Sequence, residues 1–294
     1  MSHRSSSVEL LSIRGLRYAI RHWGDPQAPM VFFLHGWMDS SPTFQFVVDA
    51  LQSRWHVVAP DWRGYGQSEW LSRPYWFPDY YADLALILDH YTSAPVRLVG
   101  HSMGANIAGI FAGLRPQRVA QLCMIDFLGL PVPTDTDACT QLGQWLTESG
   151  KTHAMRAYPN QAALARRLMA SNPRLTESRA AFLARTVSFT QPDGQVAMAC
   201  DPWHKIPSPQ RYHLEDTLSS WRRISAPVQL VLAEHGYVNK RFAHDPAQLA
   251  LRRGAFARHE SITIADAGHN IQHDQPEALA RVIEAFLLRH GSAG

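Results

Sequence analysis

Two spacings of hydrophobic residues, one typical of strands and one typical of helices, alternate along the chain and predict alternating strands and helices. Short apolar runs such as 30–34, Met-Val-Phe-Phe-Leu, are continuous, as in strands buried on both faces of a parallel sheet. Longer stretches such as 78–91 have apolar residues at helical spacing. Strands are predicted at 16–20, 30–34, 55–59, 96–99, 119–125, 227–233 and 259–264, and helices at 44–48, 78–91, 105–112 and 276–290. This alternation favours an α/β fold with a mostly parallel sheet and helices on both faces.

The alternation stops in the middle of the chain. Between 129 and 218 there are helical patterns at 140–149, 161–170 and 178–187, but no convincing strand. Because the strand–helix alternation resumes at 227 as if uninterrupted, we predict that 1–128 and 219–294 form one core domain. Residues 129–218 would then be a helical cap inserted after the strand at 119–125, and an independent second domain is the alternative.

The composition fits one large α/β domain with an insertion, since the chain has 294 residues and 46% of them are hydrophobic. The net charge of +3 is small and no basic run stands out, so we expect no nucleic-acid partner. Cys123, Cys139 and Cys200 are odd in number and lack metal-ligand spacing, which fits a reducing cytosol. We find no signal-peptide core and no run long enough for a membrane span, and expect a cytoplasmic protein.

The most informative motif is Gly-His-Ser-Met-Gly at 100–104. A G-x-S-x-G between a strand and a helix is typical of a nucleophile elbow, a tight turn that projects its serine from the top of a sheet. Gly100 and Gly104 must be small, because side chains there would collide with the neighbouring strand and helix. Ser102 is therefore predicted to be a nucleophile at a helix N-terminus, where developing negative charge is favoured.

A serine hydroxyl is a weak nucleophile and requires a base. His269 follows the last predicted strand, and the order of serine before histidine is the one this kind of site requires. The oxyanion would bind to the backbone N–H of Met103 and to that of Trp37, in the loop after the strand at 30–34. Nearby Asp39 is assigned to capping the helix that begins near residue 41. We expect the substrate pocket to be lined by His35, Trp37, His101 and Phe127.

Four motifs together resemble the capped α/β-hydrolase superfamily: His35-Gly36-Trp37, the stretch 61–68, the stretch 100–104, and Gly268-His269. The resemblance covers nearly the whole chain, and residues 35–41 and 207–209 look most like the serine hydrolase-like proteins. It implies an α/β-hydrolase fold with an eight-stranded sheet and an inserted helical cap. The related haloalkane dehalogenases and epoxide hydrolases have an aspartate where Ser102 stands, so neither reaction is favoured.

The chain departs from the family pattern at the acid that should orient the histidine. The family usually has this acid after the strand at 227–233, but Gly236 stands at that position. Some members of the superfamily take the acid from the end of the preceding strand, where this chain has Asp126. We therefore expect Asp126 to orient His269, and Glu234 or no acid at all are the alternatives.

These residues predict a serine hydrolase that cleaves a small or medium apolar carboxylic ester through an acyl-enzyme. We expect a small-molecule apolar substrate, no metal or other cofactor, and a monomer or homodimer. Two other classes stay open. One is a cofactor-free dioxygenase of the same fold, which uses a His–Asp pair on a hydroxylated heteroaromatic. The other is a ligand-binding protein with weak turnover, which only the glycine at 236 supports.

Overall fold

The computed structural model describes residues 3–132, 137–242 and 244–290 of the chain. Its strands are β1 (Ser6–Ile13), β2 (Leu16–Trp23), β3 (Met30–Leu34), β4 (His56–Pro60), β5 (Val96–His101), β6 (Val119–Ile125), β7 (Ala157–Tyr158), β8 (Ser188–Thr190), β9 (Val196–Met198), β10 (Val228–His235) and β11 (His259–Gly268). Its helices are α1 (Gln45–Ala50), α2 (Pro78–Tyr91), α3 (Met103–Leu114), α4 (Ala138–Ser149), α5 (Gln161–Ser171), α6 (Glu177–Thr186), α7 (Leu214–Trp221), α8 (Tyr237–Phe242), α9 (Pro246–Arg253), α10 (Ile271–Asp274) and α11 (Pro276–Arg289). Short 3₁₀ turns occur at Ser41–Phe44, Pro116–Arg118 and Pro202–Lys205.

The central sheet has eight strands in the order β1-β2-β4-β3-β5-β6-β10-β11. The pairs β1–β2 and β2–β4 are antiparallel, and the remaining pairs are parallel. One core layer lies between the sheet and α2, α3 and α7, and the other lies between the sheet and α1 and α11. The continuous apolar strands follow from this arrangement, because both faces of the inner strands are covered. The predicted mostly parallel eight-stranded sheet with helices on both faces is confirmed.

The segment between β6 and β10 contains helices α4 to α7, but it also contains a small antiparallel sheet in the order β7-β9-β8. This corrects the prediction of a segment without strands. Strands of two or three residues are too short to have a recognisable hydrophobic period. One local signal was available: Pro192-Asp193-Gly194 is a turn sequence, and Gly194 has a φ of 83° in the turn that joins β8 to β9.

The topology brings three loops to one edge of the sheet. Ser102 follows β5, Asp126 follows β6 and His269 follows β11, and these parallel strands all end at the same edge. Ligands of open α/β sheets bind at this carboxyl edge. Within the described residues, no helix is long and apolar enough to cross a membrane, and no group of three His, Cys, Asp or Glu side chains could hold a metal ion.

Candidate active site

Ser102 lies in a strained turn between β5 and α3. Its φ of 51° and ψ of −114° are unusual for a residue with a side chain. The turn is tight enough that a Cβ on Gly100 would lie 2.5 Å from the Gly104 carbonyl oxygen, and a Cβ on Gly104 would lie 2.0 Å from that of Leu34. The structure thus gives the steric reason for both glycines. The strain presents the hydroxyl at the first turn of α3, where the positive end of the helix dipole lies.

Two hydrogen bonds join Asp126, His269 and Ser102 in series. The Nδ1 atom of His269 is 2.7 Å from Oδ2 of Asp126, and its Nε2 atom is 2.9 Å from Oγ of Ser102. The ionised carboxylate accepts the Nδ1 proton, which leaves Nε2 to accept the hydroxyl proton of Ser102. The structure therefore brings together the three side chains that the sequence proposed as nucleophile, base and acid.

The Asp126 carboxylate is fully buried and fixed by backbone groups. Its Oδ2 accepts a hydrogen bond from the N–H of Tyr237 at 2.6 Å, and its Oδ1 accepts one from the N–H of Ala233 at 3.3 Å. These donors come from the end of β10 and the start of α8. They compensate the cost of burying the charge, and they hold the carboxylate at one orientation toward His269.

The structure explains why glycine occupies position 236. A Cβ on Gly236 would lie 2.3 Å from Oδ2 of Asp126, so a side chain there would collide with the carboxylate. Glu234, the alternative acid, is half exposed, and its Oε2 accepts a hydrogen bond from the N–H of Asp266 at 2.8 Å. Of the two candidate acids, the structure places Asp126 against His269.

The loop after β3 packs directly against the elbow. A Cβ on Gly36 would lie 2.9 Å from Nδ1 of His101 and 3.2 Å from Cβ of Ser102, so a larger residue would force the loop and the elbow apart. Within the described part of the chain, the backbone N–H groups of Trp37 and Met103 have no hydrogen-bond partner. Both are therefore free to donate to a negatively charged oxygen beside Ser102.

His35 stabilises this loop through two buried hydrogen bonds. Its Nε2 accepts the N–H of Trp62 at 2.9 Å, and its Nδ1 donates to the carbonyl oxygen of Gly36 at 2.8 Å. Burial lowers the pKa of His35 to about 4, so the ring is neutral, as an accepting Nε2 requires. The predicted pocket residue is thus a buried support for the loop that carries Trp37.

A cavity of about 170 Å³ opens beside Ser102. The segment between β6 and β10 contributes a mainly apolar wall: Leu168, Leu175, Leu183, Val187 and Met198. The core contributes the opposite wall, which includes Trp37, His101, Asp39, Asn270 and His273. Trp37 and His101 therefore lie where the sequence placed them. His35 and Phe127 are not among the lining residues, because His35 is buried under the loop and Phe127 stacks on Tyr237.

A buried polar network lies behind His269. Burial and the nearby His269 hold the pKa of His101 well below its usual value, so its ring is neutral. Its Nε2 donates to the carbonyl oxygen of His269 at 2.8 Å, and its Nδ1 accepts from Gln272 at 3.3 Å. Gln272 also donates to Oγ1 of Thr43, which is 2.7 Å from Nε2 of His273. No local sequence pattern indicates this network, because its members are far apart in the chain.

Asp39 lines the cavity and does not cap the following helical turn as predicted. Its Oδ1 accepts the N–H of Ser40 at 2.9 Å, whereas Asp61 accepts the N–H of Ser41, the first residue of that turn, at 2.7 Å. Loss of contact with water raises the pKa of Asp39 to about 7, against the effect of hydrogen bonds from Thr43 and Ser40.

The raised pKa of Asp39 predicts a pH-dependent stability. Between about pH 4 and pH 7 the carboxyl is ionised in the unfolded chain and protonated in the folded one, so raising the pH lowers the free energy of unfolding. Asp39→Asn removes this titration. Its melting temperature should therefore rise relative to the wild type as the pH increases from 5 to 8. A difference that stays constant over this range, as expected for the control Asp25→Asn on the surface, would contradict the assignment.

Comparison with known proteins agrees with this geometry. A family model described as the alpha/beta hydrolase fold matches residues 29–276. A serine hydrolase-like protein of Danio rerio is 28% identical over 276 residues, which cover 90% of this chain and 83% of that protein. The solved thioesterase domain from the curacin biosynthetic pathway has a TM-score of 0.83 and 26% identity, covering 95% of this chain and 99% of that one. A hypothetical protein from Pseudomonas aeruginosa PAO1 has a TM-score of 0.84 and 27% identity, covering 96% and 99%.

The family match runs from just before β3 to the first residue of α11. It therefore includes the elbow, the loop after β3 and the ends of β6, β10 and β11. The relatives extend the similarity to nearly the whole chain. This chain belongs to the alpha/beta hydrolase family and is a hydrolase similar to the serine hydrolase-like proteins.

Proposed function

We propose that the protein is a serine esterase that cleaves a small or medium apolar carboxylic ester through an acyl-enzyme intermediate. The observation that carries this proposal is the pair of hydrogen bonds that joins Asp126 to His269 and His269 to Ser102. A serine whose hydroxyl is bonded to an oriented imidazole is the arrangement required for nucleophilic attack on a carbonyl carbon.

In the first half of the reaction, Oγ of Ser102 attacks the ester carbonyl while Nε2 of His269 takes its proton. The negative charge that develops on the carbonyl oxygen is stabilised by the N–H groups of Trp37 and Met103. His269 then protonates the departing alcohol, and the C–O bond breaks to leave an acyl group on Ser102. In the second half, His269 removes a proton from water, which attacks the acyl-enzyme and releases the acid.

The Asp126 carboxylate stabilises the imidazolium that forms in each half. Its buried position and fixed backbone donors support this role, because a preorganised charge costs little reorganisation during the reaction. This contact favours catalysis over a ligand-binding protein with weak turnover, because Asp126 provides the acid that is missing at Gly236.

The cavity favours the small end of the proposed substrate range. Its volume of about 170 Å³ is close to that of an apolar cavity, of roughly 150 Å³, that holds benzene. We propose that residues 129–218 act as a cap that sets acyl-chain preference, since this segment provides Leu168, Leu183 and Met198 to the apolar wall. The names of similar proteins, a serine hydrolase-like protein and a thioesterase domain, are compatible with acyl hydrolysis.

We also propose a cytoplasmic location. The three cysteines are free, and Cys123 and Cys200 are buried, so none takes part in a disulfide. This pattern fits a compartment in which thiols stay reduced.

Changing the apolar wall should change acyl-chain preference. Leu168→Ala enlarges the cavity and should therefore favour a longer acyl chain. We expect the kcat/KM for p-nitrophenyl hexanoate, divided by that for p-nitrophenyl acetate, to rise roughly tenfold, because one methylene group is worth about 1–3 kcal/mol in such pockets. Leu168→Phe should lower the same ratio. Leu146→Ala is the matched control, because Leu146 lies in the same segment but is 69% exposed. If all three variants kept the wild-type ratio, the segment would not set substrate preference.

Pre-steady-state hydrolysis of p-nitrophenyl esters tests the proposed function. An acyl-enzyme predicts a burst of p-nitrophenol close to one equivalent when deacylation is slower than acylation, and a transient acyl mass on the protein after rapid quenching. The dioxygenase alternative instead predicts oxygen uptake with a hydroxylated heteroaromatic, unchanged by Ser102→Ala. Such uptake, without ester turnover or an acyl adduct, would refute the esterase proposal.

A further inference from the structure

The cavity beside Ser102 has two chemically different walls. The wall from 168–198 is mainly apolar, with Ser171 and Asn172 as its polar members, whereas the core wall includes the carboxyl group of Asp39 and the imidazole of His273. A purely aliphatic acyl group would match the first wall, but it would take water away from the second without replacing its hydrogen bonds. Leaving polar groups unpaired in this way is costly.

Asp39 has acceptor capacity that its protein partners do not use. Within the described ranges its carboxyl accepts one hydrogen bond, from the N–H of Ser40 to Oδ1 at 2.9 Å. A carboxylate has about four acceptor positions. Since the residue borders the cavity and is only partly exposed, its remaining capacity is available to a ligand next to Ser102.

His273 adds a neutral imidazole to the same wall. Its Nε2 is 2.7 Å from Oγ1 of Thr43, and burial lowers the pKa of the ring to about 3. The core wall of the cavity therefore presents polar groups that an aliphatic acyl chain would leave unpaired.

We propose that the acyl group of the substrate carries a hydroxyl group at C2 or C3, and that this hydroxyl donates a hydrogen bond to the Asp39 carboxyl group. This inference rests on the proposed esterase function and names its substrate class, a hydroxyacyl ester. A hydroxybutyryl group has six non-hydrogen atoms, about as many as the benzene that fills a cavity of roughly 150 Å³.

A hydroxyl group suits the site better than an ammonium group. Both can donate to Asp39, but His269 becomes positively charged while it holds the proton of Ser102. Asp39 and His269 line the same cavity. An ammonium bound to Asp39 would repel the imidazolium and raise the energy of the transition state, whereas a neutral hydroxyl does not.

The test compares kcat/KM for p-nitrophenyl 2-hydroxybutyrate, 3-hydroxybutyrate, 3-aminobutyrate and butyrate. Assays at pH 8 keep the Asp39 carboxyl mostly ionised. The ratio of each hydroxybutyrate to butyrate is measured in the wild type, Asp39→Leu and Asp39→Asn, so that the intrinsic reactivity of each ester cancels between proteins. Asp25→Asn is the matched control, since Asp25 also accepts a neighbouring backbone N–H but is exposed and lies away from the cavity.

We expect Asp39→Leu to lower at least one of these ratios about 10- to 100-fold, the value of one hydrogen bond to a charged acceptor, and Asp25→Asn to leave both within about threefold. Asp39→Asn, which keeps the size of the side chain, should lower the same ratio by a smaller factor. Ratios that stay unchanged in both Asp39 variants, or a wild-type preference for 3-aminobutyrate over both hydroxybutyrates, would overturn the proposal.

A binding measurement separates this proposal from the esterase function. Methyl 2-hydroxybutyrate, methyl 3-hydroxybutyrate and methyl butyrate are titrated into Ser102→Ala, with and without Asp39→Leu, and Kd is measured by calorimetry. Tighter binding of one hydroxylated ester that is lost with Asp39→Leu supports the hydroxyl site even if the wild type cleaves no ester. Equal binding of all three esters overturns the site even if ester cleavage is observed.

Discussion

Asp126→Asn is expected to lower kcat by about two to four powers of ten with little change in KM, in a protein that still folds. The asparagine fits the same space, but it no longer provides a charge for the imidazolium. Steady-state kinetics near neutral pH, with thermal melting as a folding control, measures the effect.

Glu234→Gln is the matched control for Asp126→Asn. Its carboxylate is half exposed and bonded to the Asp266 backbone, outside the chain of proton transfer. We expect it to change kcat by less than about tenfold. If Glu234→Gln lowered kcat by several powers of ten and Asp126→Asn changed it little, the acid that orients His269 would be Glu234 at the end of β10, and the assignment to Asp126 after β6 would be wrong.

Ser102→Ala should reduce ester turnover by at least about 10⁴-fold, because both halves of the proposed reaction pass through its Oγ. The remaining activity would come from the oxyanion donors and substrate binding alone. The variant keeps a side chain of similar size in the strained turn, so the fold should persist. Kinetics with p-nitrophenyl acetate measures the loss.

Ser219→Ala provides the comparison for Ser102→Ala, since Ser219 is an exposed serine on α7 that donates to the carbonyl oxygen of Asp216. It should retain wild-type turnover. Undiminished cleavage by Ser102→Ala would exclude Ser102 as the nucleophile and favour chemistry that uses only the His269–Asp126 pair.

The sequence was sufficient to predict the central sheet and the three residues at its carboxyl edge, and the reason is local. The elbow is defined within five residues, because Gly100 and Gly104 are required by contacts that their neighbours in the turn and β3 impose. Asp126 could be found because a charged residue directly after a buried strand is conspicuous. The absence of an acid at position 236 also favours Asp126. The structure gives the physical reason, because any side chain at position 236 would clash with the Asp126 carboxylate.

Features that depend on distant contacts could not be predicted in this way. The strands β7 to β9 are too short to carry a period and form through pairing across 157–198. His35 has the position of a pocket residue in the sequence, but its ring turns inward because the Trp62 backbone offers a buried donor. The position of Asp39 in the sequence, just before residue 41, predicts a helix cap. Its place beside the cavity instead follows from the packing of the loop after β3 and the turn at 41–44 against α10.

The most direct test of the account is the position of a covalent fluorophosphonate adduct on the wild-type protein. This reagent phosphorylates a serine only where a base and an oxyanion site act together, so peptide mass spectrometry after labelling examines all of these features at once. We predict one adduct on Ser102, strongly slowed labelling of Asp126→Asn and no labelling of Ser102→Ala. An adduct on another residue, or efficient ester turnover by a protein that is never labelled at Ser102, would contradict the account.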